Sequence, residues 1–110
     1  MILGALTSDI SYKGGALTVE LHGEIDHHTA KAAREKIDKA LYLYRPKKLI
    51  LSLKEVSFMD SSGLGLILGR VSTAEAVSAS VTLTNVPARA RKILSMAGVE
   101  RISSLTVEGE

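Results

Sequence analysis

The chain opens with two short segments in which apolar and polar residues alternate, the pattern of strands that bury one face. The segments span residues 5–12 and 17–22. Lys13-Gly14-Gly15 between them predicts a tight turn, because glycine readily adopts the positive φ that hairpin turns need. The sequence therefore predicts an opening antiparallel hairpin. The positions predicted to share a face are Leu6, Ser8, Ile10 and Tyr12 in the first strand, and Leu17, Val19 and Leu21 in the second.

A helical pattern follows between Asp26 and Pro46. Asp26 is the predicted N-cap, with Thr29 three residues later, and charged side chains cover the outer face. Pro46 is expected to end the helix, because the residue before a proline is disfavoured in the α region. The positions predicted to be buried recur at helical spacing: Ala30, Ala33, Ile37, Ala40, Leu41 and Tyr44.

The middle of the chain predicts a buried strand followed by a second helix. Residues 49–53 are apolar except for Ser52, as in a central strand covered on both faces. Asp60-Ser61-Ser62 forms an N-cap cluster, because short side-chain oxygens accept from the first N–H groups of a helix. The helix is predicted to run from Ser61 to about residue 75–77. Its core-facing stripe is Leu64, Ile67, Leu68 and Val71.

The last third predicts a further strand at residues 81–84, a third helix and a final strand at residues 101–107. Residues 85–87 are expected to begin the helix, with Pro87 at the first helical position, and Gly98 to end it. Its predicted buried residues are Ala90, Ile93, Leu94 and Ala97. The order β-β-α-β-α-β-α-β predicts one α/β domain over residues 1–110. It would have a mixed sheet, made of the antiparallel hairpin and parallel β-α-β units, packed with three to four helices.

Composition narrows the function classes. The 110 residues include no cysteine, which excludes disulfides and thiolate metal sites. A net charge of +2, no tryptophan and one phenylalanine argue against direct binding of nucleic acid. No apolar run approaches the ~20 residues of a membrane span, and the first residues lack the charged region of a signal peptide. We therefore expect a cytoplasmic protein with no membrane span.

The candidate chemistry lies at Ser61 and Ser62, in a loop after a strand and at the positive end of a helix, where an added phosphate is favoured. A hydrolase would pair either serine with a histidine and an aspartate. The Gly-x-Ser-x-Gly pattern is absent, however, because Met59 and Asp60 stand two residues before the serines. The candidate partners in that interpretation are His22, His27 and His28, with Asp26 or Asp60.

Two other interpretations use the same loop. A phosphate-binding loop at residues 62–65 lacks the Walker lysine and the dinucleotide glycine pattern. The remaining interpretation makes a serine the covalent phosphate acceptor of a binding module. A metal site at His27-His28 is not expected, because adjacent helical residues point about 100° apart and no third ligand has suitable spacing.

Gly65 and Gly69 lie inside the predicted second helix, where each costs about 0.8–1 kcal/mol relative to alanine. Close approach of another backbone is the usual compensation. Packing within the same domain and docking of a partner both remain open on this pattern. Because the two glycines fall off the apolar stripe, the sequence favours a partner.

Two motifs together resemble a known family. Residues 58–70, Phe-Met-Asp-Ser-Ser-Gly-Leu-Gly-Leu-Ile-Leu-Gly-Arg, and residues 23–30, Gly-Glu-Ile-Asp-His-His-Thr-Ala, resemble the STAS-domain anti-sigma factor antagonists. The resemblance extends from about residue 4 to residue 98 and is strongest to the members that act on the anti-sigma F factor in sporulation. The fold of that family, a mixed sheet with helices, agrees with the predicted element order.

The resemblance implies a regulatory binding protein that is not an enzyme and needs no cofactor. Its unphosphorylated form would bind an anti-sigma factor with serine kinase activity and so free the sigma factor. Phosphorylation on Ser61 would end the binding, and a serine phosphatase of the metal-dependent type would reverse it. Carried over by motif position, the partner-binding residues are Asp26, Asp60, Ser62, Gly63, Gly65, Leu66 and Gly69.

The resemblance also leaves an alternative, in which the chain is a STAS interaction module of a stress-signalling or lipid-transfer complex. Residues 71–80 are small and weakly charged where relatives often carry lysines and a glycine turn. The chain also ends without the terminal helix of many relatives. We expect both differences to affect the choice of partner more than the phosphorylation switch.

Overall fold

The computed structural model describes residues 5–109. They form five strands and three α-helices, which confirms the α/β class and the predicted element order. The elements are β1 (Leu6–Lys13), β2 (Ala16–Ile25), α1 (His27–Tyr44), β3 (Lys48–Met59), α2 (Ser61–Ala76), β4 (Ser80–Val86), α3 (Ala88–Met96) and β5 (Leu105–Gly109), with a 3-10 turn at Val99–Arg101.

The five strands form one mixed sheet in the order β1-β2-β3-β4-β5. The predicted hairpin is confirmed, since β1 pairs antiparallel with β2, and the remaining pairs are parallel. Each helix connects adjacent strands, and α2 contacts both α1 and α3. Because right-handed connections that advance in one direction place their helices on the same face, the three helices cover one face of the sheet.

The core lies between these helices and the sheet. The alternation predicted for β2 is confirmed: Leu17, Val19 and Leu21 are buried, whereas Glu20 is exposed. The face of the sheet away from the helices is mostly polar. Large side chains buried in the core include Leu17, Ile25, Ile37, Leu41, Leu49, Leu51, Leu53, Ile67 and Leu83.

The bounds of several strands differ from the prediction, and β2 continues past residue 22 to Ile25. β3 continues from the predicted residues 49–53 to Met59, because its second half still pairs with β2 after β4 has left it. Only one neighbour remains there, so the sequence is no longer continuously apolar. The final strand is Leu105–Gly109 rather than residues 101–107, because Val99–Arg101 form a 3-10 turn that buries Val99.

The start of α3 was also predicted wrongly. Asn85 and Val86 belong to β4, where Val86 is buried and pairs with Gly109 of β5. Pro87 is the N-cap rather than the first helical residue, since its ψ of 151° is extended. The predicted end of the helix is confirmed, because Gly98 follows the C-cap with a φ of +73°.

Two predicted core residues are exposed. Tyr44 is the last residue of α1 and is 43% exposed, and its ring stacks on Tyr12 with centroids 4.8 Å apart. Ala97 is the C-cap of α3 and is also exposed. In both α1 and α3, the helical spacing of apolar residues continues to the end of the helix, beyond the part that packs on the sheet.

Candidate phosphorylation and partner-binding site

The helices α1 and α2 begin side by side at one edge of the sheet. Ile25 and Met59 are paired at the carboxyl ends of the parallel strands β2 and β3. The N–H of Asp60 donates to the carbonyl of Ile25 at 3.4 Å. Asp26 and Asp60, the next residue of each strand, are therefore neighbouring caps at the positive ends of two helices.

Asp26 caps α1, as predicted. Its carboxylate accepts from the N–H of His28 at 2.8 Å and of Thr29 at 3.0 Å, and the Thr29 hydroxyl accepts from the N–H of Asp26 at 3.0 Å. This reciprocal pair is a capping box, with threonine in place of glutamate. The hydrogen bond from the Thr29 N–H, helped by that from His28, lowers the pKa of Asp26 below its ordinary value.

Asp60 caps α2, which confirms the predicted N-cap cluster. Its carboxylate accepts from the N–H of Ser62 at 2.7 Å. Ser61 is the first residue of the helix and is exposed, whereas Ser62 is half-buried. Of the two hydroxyl-bearing residues in the loop, Ser61 is thus the more open to solvent.

Gly63 is required by packing within the chain. A Cβ at this position would lie 2.2 Å from Cγ and 2.7 Å from Sδ of Met59, which is itself buried. The absent side chain lets the first turn of α2 lie directly on the end of β3. Gly63 thereby fixes where the helix that carries Ser61 begins.

Gly65 and Gly69 are different. An added Cβ would have no atom within 4 Å at either position, and Gly65 is exposed. Close packing against another part of residues 5–109 therefore does not explain these two glycines. This removes, for the part of the chain described, one of the two explanations that the sequence left open.

The residues predicted to bind a partner lie at the starts of α1 and α2 and along the first half of α2, and they differ in accessibility. Asp26, Asp60, Ser62 and Gly69 are half-buried. Gly63 is buried against Met59, and Leu66 is only 4% exposed. These last two residues shape the surface more than they contribute to it.

Sequence reasoning missed a groove between α1 and α2 that begins beside this site. We call it the α1–α2 groove. His27, Lys31 and Arg34 line it from α1, and Ser62, Gly65 and Leu66 from α2. The spacing of Lys31 and Arg34 placed them on one helix face, but only the packed structure shows that this face borders α2.

A smaller apolar cleft of about 60 Å³ lies on the other side of the site, between the ends of β3 and β4. Phe58, which is 42% exposed, and Val56 line it together with Pro87 and Ala90. The motif containing Phe58 was recognised in the sequence, but its exposure was not predicted. Met59, the last residue of β3, also lines this cleft, as does Arg89.

The geometry gives no support to a serine hydrolase. Nε2 of His22 lies 3.1 Å from the carboxylate of Asp9, on the polar face of the sheet. The carboxylates of Asp26 and Asp60 are engaged by backbone N–H groups. His27 and His28 begin α1 with their rings 5.8 Å apart, and no group of three or more metal-ligating side chains occurs within residues 5–109.

None of the helices described here is both long and apolar enough to cross a membrane. This finding covers residues 5–109.

Comparison with known proteins agrees with this architecture. The STAS domain model matches residues 8–108. An anti-sigma F factor antagonist of Paenibacillus polymyxa is 36% identical over 88% of this chain and 83% of its own length. The solved unphosphorylated form of the anti-sigma factor antagonist SpoIIAA is 30% identical, with a TM-score of 0.77 over 94% of this chain and 90% of that one.

The phosphorylated form of the Bacillus cell fate determinant SpoIIAA matches as well, with 30% identity and a TM-score of 0.72 over 94% of this chain and 93% of that one. The sequence match, the five-stranded mixed sheet and the three helices agree with one another. The chain belongs to the STAS-domain family that includes the anti-sigma factor antagonists.

Proposed function

We propose that this protein is a cytoplasmic anti-sigma factor antagonist controlled by phosphorylation of Ser61, and that it acts in a sporulation programme. The unphosphorylated form binds an anti-sigma factor that is also a serine kinase, and the sigma factor is released. The kinase then modifies Ser61, which ends the complex. A metal-dependent serine phosphatase restores the binding form.

The observation that carries this proposal is the placement of Ser61. It is exposed, it is the first residue of α2, and it lies next to the two capping aspartates. The proposal is further supported by the related SpoIIAA, which is known in phosphorylated and unphosphorylated forms.

The docking surface of the proposal follows α2 away from Ser61. Gly65 and Gly69 lie four and eight residues later, on the same side of the helix. Since no part of residues 5–109 fills the space above them, a partner backbone can approach α2 closely there. Close approach of a partner would explain why α2 contains two glycines, although each lowers the stability of the helix.

Charge explains how phosphorylation would end binding. A phosphoserine brings about −1.5 to −2 charges at neutral pH. Within a protein interface these charges would be desolvated beside Asp26 and Asp60. Juxtaposed like charges in an interface cost several kcal/mol, which is enough to release a partner.

The test incubates the protein with ATP and a candidate anti-sigma kinase and follows it by intact mass and peptide mapping. We expect one added phosphate, on Ser61, and loss of kinase binding in calorimetry. Ser61→Ala should bind but resist modification, and Ser61→Asp should bind more weakly. Ser95→Ala, an exposed serine of α3, is the matched control and should behave as the wild type.

A phosphate on another residue, or a Ser61→Ala variant that is still modified, would refute the assignment of Ser61. Binding without any phosphorylation would instead indicate a STAS interaction module that is not switched in this way. Treatment of the phosphoprotein with a metal-dependent serine phosphatase should restore the affinity of the unmodified form.

A further inference from the structure

The α1–α2 groove carries basic side chains on one wall. His27, Lys31 and Arg34 come from α1, and all three are exposed. No acidic side chain lines the groove. Within residues 5–109, Lys31 and Arg34 form no ion pair, not even with Glu35 on the same helix.

The aspartate that could offset this charge is already engaged. Asp38 lies one turn beyond Arg34 on α1, and its Oδ1 is 2.8 Å from Nε of Arg70 on α2. Arg70 is buried, and its Nη1 has no hydrogen-bond partner in the part of the chain described. The carboxylate is thus committed to a cation on the other helix.

Arg34 lies close enough to Arg70 for the two positive charges to repel each other. Burial lowers the pKa of its guanidinium, Asp38 raises it, and the nearby charge of Arg34 lowers it again. Because Asp38 pairs with Arg70, neither Lys31 nor Arg34 has a carboxylate partner among residues 5–109. A negative group between Lys31 and Arg34 would supply one.

The opposite wall allows a chain to enter. An added Cβ at Gly65 would have no atom within 4 Å, and Leu66 provides a small apolar floor. The groove begins at Ser62, so it is continuous with the docking surface around Ser61. A segment lying in it would contact α2 on one side and the basic residues of α1 on the other.

We propose that the α1–α2 groove binds an acidic segment of the partner protein, with Lys31 and Arg34 pairing with its carboxylates. This inference rests on the proposed function for the identity of the partner, but not for the chemistry of the groove. A protein is favoured over a nucleic acid because the groove contains no Phe, Tyr or Trp on which bases could stack.

The position of the groove also links it to the switch. A phosphate on Ser61 would stand next to Ser62, at the entrance of the groove. Its negative charge would repel the carboxylates of an entering segment and compete for the same cations. The groove thus offers a second route by which phosphorylation weakens docking.

The first experiment titrates the 15N-labelled protein with a hexaglutamate peptide and follows the amide shifts by NMR. We expect the largest shifts at residues 27–34 and 62–66. The shifts should be lost in Lys31→Gln/Arg34→Gln and kept in Lys39→Gln/Lys92→Gln, which removes the same charge from exposed positions away from the groove. Shifts spread over all basic residues, or no shifts at all, would overturn the proposal, as would equal shifts with an oligothymidylate.

The second experiment measures the affinity for the anti-sigma kinase at low and high salt. Lys31→Gln/Arg34→Gln should weaken binding about tenfold at low salt and reduce its salt dependence, whereas the control should change it less than about twofold. If the wild type binds and the groove variant binds equally well, the groove is not the contact and the proposed function stands. If the kinase does not bind but the peptide occupies the groove, the proposed function fails, whereas the assignment of an acidic ligand to the groove holds.

Discussion

Gly63 and Gly65 are two residues apart on α2, yet they are glycine for opposite reasons. Gly63→Ala places a methyl group against Met59, which is buried and must move. We expect the free energy of unfolding to fall by about 1–3 kcal/mol, the usual cost of overpacking. Gly65→Ala adds a methyl group in open space and should raise it by about 0.4–1 kcal/mol.

Urea denaturation of both variants measures this difference, and Gly69→Ala serves as a control, because an added Cβ has no atom within 4 Å there either. Gly65→Ala should have opposite effects on stability and on binding: the variant should be more stable than the wild type but should bind the partner less tightly. If both substitutions stabilise the fold equally, then Met59 does not restrict the first turn of α2.

The role of one of these two glycines could be predicted from the sequence, and the role of the other could not. The exposure of Gly65 followed from helical spacing relative to Leu64 and Ile67, which depends only on the periodicity of one helix. The restriction at Gly63 comes from Met59, a residue of another element. A contact between a strand end and the following helix requires the packed structure, so no periodicity could predict it.

At the scale of the element, the start of α1 depends on one carboxylate. Hydrogen bonds from Thr29 and His28 lower the pKa of Asp26 below its ordinary value, so the charged form is favoured by folding. The stability that this provides is present above the unfolded pKa and is lost as the pH falls through the lower, folded pKa. Asp26→Asn keeps a capping side chain but removes the charge.

We therefore expect wild type to be more stable than Asp26→Asn at neutral pH, with the difference declining as the pH falls below about 4 and vanishing below the folded pKa. Denaturation at several pH values gives the difference, and a 13C NMR titration of the Asp26 carboxyl should have its midpoint below 3.8. A midpoint at or above that value would contradict the role given to the capping hydrogen bonds.

The helices and strands were largely predictable from the sequence. The errors in their predicted bounds have a common cause. The caps of α1 and α2 are encoded locally by Asp26 and Asp60, and both were predicted. The second half of β3 was missed because it contains Lys54 and Glu55, and only pairing with β2 keeps it extended. Asn85–Val86 was assigned to a helix because Pro87 resembles a helix start, whereas pairing with β5 extends β4 to that proline.

In the molecule as a whole, the parallel direction of two strands brings the proposed functional residues to one edge of the sheet. β2 and β3 are parallel, so the helices that follow them begin at the same edge. Ser61, the two aspartate caps, the apolar cleft and the entrance of the α1–α2 groove meet there as a result. The family motifs indicated the residues of this edge, but the groove depends on the packing of α1 against α2, which the motifs do not encode.

This arrangement predicts that phosphorylation changes binding and not the fold. The phosphate would be attached at the N-terminus of α2, where the helix dipole favours a negative charge by typically 0.3–1 kcal/mol. The large buried side chains of α2 begin at Leu66, five residues after Ser61, and continue through Ile67 and Val71. The phosphorylated SpoIIAA still matches this fold with a TM-score of 0.72.

We expect the far-ultraviolet circular dichroism spectra of the phosphorylated and unmodified proteins to coincide, with a melting temperature that is unchanged or slightly higher after modification. Ser61→Asp adds a smaller charge at the same position, and its melting temperature should lie between those of the unmodified and phosphorylated proteins. Loss of helical signal or a melting temperature lowered by many degrees would show that the switch acts through the fold of this chain. Coincident spectra with lost partner binding would place the effect at the interface, where the charges of the phosphate, Asp26 and Asp60 would be desolvated together.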